Sequence, residues 1–151
     1  MINPYHYCQN NPDVVTNCYV EFNQVSGPNA GGNVLVETEY LAAGDGLGSG
    51  TAEVALSQAA EIGTTYGLAY QTFNDRSESN DIIYAAAYMK RFAGYGPNGP
   101  GAIYQLDANG TVLGTLNVAA GSDPHNFTAV GSDFPDAASY AQVGKQSWGD
   151  I

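Results

Sequence analysis

Tyr66-Gly-Leu-Ala-Tyr70, Ile82-Ile-Tyr-Ala-Ala-Ala-Tyr88, Gly101-Ala-Ile-Tyr-Gln-Leu106 and Thr111-Val-Leu-Gly-Thr-Leu-Asn-Val118 are four short apolar or alternating runs separated by turn-forming sequence. Each has strand length and is rich in β-branched and aromatic residues. Between the last two lies Asp107-Ala-Asn-Gly110, and Asn-Gly is the strongest short-range hairpin signal. The final run alternates Val112, Gly114, Leu116 and Val118 against Thr111, Leu113, Thr115 and Asn117, which predicts one apolar face. Residues 64–118 therefore read as a four-stranded antiparallel sheet.

Four short strands joined by turns form the pattern of one β-propeller blade. The predicted fold class is all-β, an antiparallel sheet amounting to about one and a half blades, with one short helix. Residues 1–63 read as an irregular, cysteine-tied segment with a strand from Val34 to about Tyr40, then the glycine-rich LAAGDGLGSG loop. The helix is expected over Ala52–Ile62, with Thr51 as cap, Glu53 in the first turn and Gly63 as stop. Residues 119–151 read as an acidic loop followed by Gln146-Ser-Trp-Gly-Asp-Ile151, the first strand of a further blade. Both ends read as cuts through a larger polypeptide, with no signal peptide ahead of INPYHYC.

The composition narrows the function. Only 13% of residues are charged, against about 25% in ordinary domains, so surface polarity comes from Asn, Gln, Ser, Thr and Tyr. Arg76, Lys90, Arg91 and Lys145 face 15 acidic residues, for a net charge of −11. Nucleic acid and anionic membrane are both recognised by clustered Lys and Arg, so both are excluded as partners. No run approaches the roughly 20 apolar residues of a membrane span. Such a composition suits an extracellular or cell-surface protein. There Cys8 and Cys18 are expected to pair, closing a short loop worth about 2–3 kcal/mol.

The runs IGTTYGLAYQ, IIYAAAYMKRFAGYGPNGPGAIYQLD and AVGKQSWGDI, with the early NPYHYCQNNPDVVTNCYV, resemble the N-terminal part of a propeller-type domain of large bacterial surface proteins. Those proteins often also carry SdrD-like B repeats. The resemblance implies a secreted adhesive or scaffolding role and supplies no active-site residues.

Candidate sites are few. Asp123, Asn126, Asp133 and Asp136 form a candidate calcium set, since Ca²⁺ takes several carboxylate and amide oxygens, although no DxDxDG loop is present. Without calcium they are a solvated acidic loop. Tyr95, beside Lys90 and Arg91 in a Gly/Pro-rich loop, is a candidate platform for a sugar ring, whereas the strand tyrosines read as packing residues. His125, in DPHNF, reads as a solvated turn residue. With no Gly-x-Ser-x-Gly elbow, nothing marks an enzyme. Two N-glycosylation sequons occur, Asn109-Gly-Thr111 and Asn126-Phe-Thr128, the first coinciding with the hairpin turn.

The leading expectation is an extracellular structural or adhesive module that assembles through β-strand edges, with copies of itself or with the rest of a parent polypeptide. Val34–Tyr40 and Ser147–Ile151 are the expected contact segments. The alternatives are a calcium-dependent or aromatic carbohydrate-binding module and part of a propeller hydrolase.

Overall fold

The computed structural model describes residues 13–21, 23–39, 53–72, 81–118, 120–127 and 136–151. They form two antiparallel sheets around one core. The first has the order β1 (Val14–Asn17), β2 (Asn33–Thr38), β3 (Val54–Gln58). The second is a meander of β4 (Thr65–Gln71), β5 (Ile82–Ala87), β6 (Ala102–Asp107) and β7 (Val112–Asn117). Two single-turn helices, α1 (Ala59–Ile62) and α2 (Ala137–Tyr140), complete the described elements.

The four-stranded meander is the sheet expected from the four runs, with Ile83 opposite Leu106, Tyr104 opposite Thr115 and Ala69 opposite Tyr84. β6 alternates as its sequence dictates: Ala102, Tyr104 and Leu106 are buried, while Ile103, Gln105 and Asp107 are half-buried. The hairpin turn forms at Asp107–Gly110. The Asp107 carboxylate accepts the Asn109 and Thr111 amides at 2.9 and 2.8 Å, and the Gly110 amide donates to the Asp107 carbonyl at 2.9 Å. Gly110 takes φ +84°, the left-handed position of a three-residue hairpin loop. A β-bulge follows, since Gln105 faces Gly114 but Leu106 faces Val112. The bulge interrupts the even alternation expected of β7: Val112 lies opposite a core position, while Leu116 lies opposite half-buried Ile103.

The first sheet departs from expectation. The segment predicted as a helix from Ala52 to Ile62 is strand β3 over Val54–Gln58 and helical only over Ala59–Ile62. Pairing with β2 overrides local helix propensity, because β2 buries Val34, Leu35 and Val36 in succession and needs a strand on each side. Residues 14–17, read as irregular, supply the other neighbour. Val34–Tyr40 is thus not a free assembly edge: β2 is the central strand, with Leu35 fully buried. Glu61 closes the α1 turn, its Oε2 accepting the Gln58 amide at 2.7 Å and the Ser57 hydroxyl at 2.8 Å.

One core spans both sheets, with Val34 and Leu35 from β2, Leu56 from β3 and Ile62 from α1. Ile83, Ala85 and Ala87 of β5 and Tyr104 and Leu106 of β6 complete it. The sheets are also stitched by polar contacts. The Asn17 side chain donates to the Tyr66 carbonyl at 2.8 Å and accepts the Thr65 hydroxyl at 2.6 Å. The chain passes from α1 into β4 through Gly63, at φ +64° and ψ −150°. A Cβ there would stand 1.9 Å from the Gly96 backbone nitrogen, so the crossing requires glycine.

Gln146–Ile151 is not a strand. Ser147, at φ +69°, makes a lone bridge to Tyr88, and its hydroxyl lies 2.6 and 2.7 Å from the Ala87 and Pro100 carbonyls. Residues 149–151 then lie against Gly67 of β4, where a Cβ would meet the Gly149 carbonyl oxygen at 2.7 Å. Among the described residues no ring of blades closes; they form two sheets sharing one core.

Candidate functional site

Two features stand out: a cluster of two carboxylates around a buried imidazole, and an exposed apolar strand edge. The cluster joins three segments. His125 Nδ1 lies 2.5 Å from Asp123 Oδ1, and Nε2 lies 2.9 Å from the Lys90 carbonyl and 3.8 Å from Asp136 Oδ2. Both ring nitrogens thus face acceptors. A neutral imidazole can donate from only one nitrogen, so the matched form is the imidazolium. Burial on its own pulls the His125 pKa down. Hydrogen bonds to Asp123 and the Lys90 carbonyl, with the charges of Asp123 and Asp136, outweigh burial and leave it raised from 6.5. Its side chain is 1% exposed, so the solvated turn residue expected at 125 is instead a packed one. Its ring stacks on Phe127 at 5.0 Å and meets Tyr95 edge-on at 5.4 Å.

Asp136 is fully buried and accepts the Phe92 amide at 2.9 Å, with the Asn126 amide at 3.4 Å. Phe92 itself sits at φ +68°, a conformation that needs such support. Of the candidate calcium set, then, Asp123 engages His125 and Asp136 engages backbone amides, while Asp133 lies outside the described residues. Among the described residues no group of three His, Cys, Asp or Glu side chains is placed to hold a metal ion.

Tyr95 is 4% exposed and belongs to the core, so its ring offers no open face for a sugar. Burial pushes its phenol far up. The nearby Ser147 hydroxyl works the other way but is turned toward the Ala87 and Pro100 carbonyls, and among the described residues Tyr95 Oη has no hydrogen-bond partner. The loop cations are held by aromatic rings: Lys90 Nζ lies 4.4 Å from the Tyr19 ring centre and the Arg91 guanidinium 4.3 Å from that of Phe92. Cys18 follows β1, its amide donating to the Val34 carbonyl at 2.9 Å. Burial, helped by the charge of Glu53, pushes its thiol up. Cys8 lies outside the described residues, and the expected disulfide with it.

The second feature is β7, the last strand of the four-stranded sheet. It carries Val112, Leu113 and Leu116 at 37, 54 and 62% exposure, followed by Val118 at 40%. Thr111–Val118 contains no charged residue and no proline. Sequence reasoning recognised this strand but assigned assembly to Val34–Tyr40 and Ser147–Ile151. The signal that points to β7 is its position after the last hairpin turn, combined with apolar residues at both parities. A cleft of about 610 Å³ opens beside its start, lined by Leu56, Glu61, Asn98, Asn109 and Thr111 among others.

These features define a two-sheet, all-antiparallel β module whose last strand exposes apolar side chains. The comparisons with known proteins place it beside two colossins of Dictyostelium discoideum. Colossin-A is 38% identical over 101 residues, which cover 66% of this chain and 1% of Colossin-A. Colossin-D is 28% identical over an alignment of 165 residues, covering all of this chain and 16% of Colossin-D. The chain thus spans a small part of either relative. No protein-family model matches it, and no solved structure matches it significantly. The resemblance to a propeller-type domain of bacterial surface proteins is corrected accordingly: these relatives are eukaryotic, and no family model supports a bacterial propeller domain.

Proposed function

We propose that this chain is an extracellular structural and adhesive module that associates by strand addition at β7, its occupant a strand of a second copy of the chain. The observation that carries the reading is the charge-free apolar edge. Soluble proteins protect edge strands with charges, prolines, bulges or covering segments. Here the bulge at Leu106–Val112 protects the start of the strand and Asn98 engages the Thr115 and Asn117 side chains, while Leu113, Leu116 and Val118 stay exposed. The edge itself carries no charge, so a second copy can pair along it without opposing like charges across the seam, against the general repulsion between two chains of net charge −11. The low charged fraction favours an extracellular setting. The placement of His125 argues for a structural rather than catalytic role, since both nitrogens are engaged.

Light scattering on the 151-residue chain tests the reading. The wild type is expected to associate with rising concentration, and Leu116→Lys to shift it toward monomer. Because Leu116 is 62% exposed, that substitution should change folding stability by no more than about 0.5 kcal/mol. A wild-type chain that stays monomeric at high concentration removes the proposal.

A further inference from the structure

We propose that Asn109 is an N-glycan acceptor, and that its sugar stands over the start of the β7 edge; the inference rests on the extracellular reading. Asn109-Gly110-Thr111 is an acceptor sequon, which belongs on a surface loop of an exported protein. The turn presents it well. Asn109 and Thr111 are both exposed, while Gly110 between them is buried against the Leu56 carbonyl. The hydrogen bonds of the turn use the backbone amides of 109, 110 and 111 and the Asp107 carboxylate and carbonyl. None uses the Asn109 or Thr111 side chain, so modification breaks no hydrogen bond among the described residues. Asn126 sits in a more constrained segment, because its backbone N–H points to buried Asp136 and its neighbours His125 and Phe127 stack on one another.

The chemistry is a transfer from a lipid-diphosphate-linked oligosaccharide. Asn109 Nδ2 bonds to the anomeric carbon as the carbon–oxygen bond to the diphosphate breaks. The amide gives up one proton and the lipid diphosphate leaves. The resulting glycan is bulky and solubilising. It sits at the rim of the cleft and within a few residues of exposed Val112 and Leu113. It would thus add to the bulge at the start of β7 and set how much of the strand is open to a second copy.

The full chain, exported from a eukaryotic host by an added signal peptide, is digested with peptide N-glycosidase in heavy-oxygen water and mapped by mass spectrometry. The expected result is a heavy-oxygen aspartate at 109, absent in Asn109→Gln and Thr111→Val and retained in Thr111→Ser. Unlabelled Asn109 in secreted, folded protein, or label confined to Asn126, overturns the inference. Light scattering of the exported protein should show less association before deglycosylation than after; equal association overturns the proposed shielding. Wild type lacking the glycan yet monomeric at high concentration is a failure of strand addition, read separately from acceptor occupancy.

Discussion

Replacing Asp136 by alanine tests the account of the buried cluster most directly. Asp136 has no exposure, and its carboxylate accepts the Phe92 amide at 2.9 Å while standing 3.8 Å from His125 Nε2. Removing it strands a backbone donor at a residue already held at φ +68°. A hydrogen bond to a charged acceptor contributes about 1.5–3 kcal/mol, and leaving the donor unmatched adds to the loss. The imidazolium also loses one of its two carboxylates, while the relieved burial of a charge works in the other direction. The net expected loss is about 3 kcal/mol, or roughly 6–12 °C in Tm for a chain of this size. Asp136→Asn keeps one oxygen for the Phe92 amide and should lose about half as much.

The pH dependence follows from the sign of the His125 shift. Its folded pKa is raised, so its stabilisation is complete below the unfolded value of about 6.5 and is lost as pH rises through the folded pKa. The Asp136–imidazolium attraction is part of that stabilisation. The gap between wild type and Asp136→Ala should therefore be larger at mildly acidic than at alkaline pH. Urea unfolding followed by circular dichroism at both pH values measures it. A gap below about 0.5 kcal/mol, or one that widens with pH, would refute the reasoning.

Two further outcomes are expected. Gly63→Ala should cost about 3–5 kcal/mol, from a glycine-only backbone region and a Cβ 1.9 Å from the Gly96 nitrogen. Gly99→Ala is its control, with positive φ but open space, and should cost only about 1–2 kcal/mol in the same unfolding assay. Alkylation of the native, oxidised chain should label neither Cys8 nor Cys18 until reductant is added, whereas two labelled thiols without reductant would remove the expected disulfide.

The meander was legible because its signals are local. Asn109-Gly110 marks the turn, the Ala102–Asp107 alternation has period two, and the apolar run at Ile82–Ala87 marks a strand buried on both faces. No second chain segment is needed to interpret any of these. The AEVALSQAAEI segment misled because its residues satisfy a helical stripe as well as a strand, and the decision came from β2, a distant partner. His125 misled for a related reason: DPHNF has the composition of a solvated turn, and only the return of the chain brings Lys90 and Asp136 to its two nitrogens. The acidic, charge-poor composition and the four-strand meander belong to the sequence by itself. Which strand became an open edge belonged to the tertiary structure alone. An edge is defined by the absence of a neighbour, and a neighbour can come from anywhere along the chain. β2 found two within this one, and among the described residues β7 found only β6.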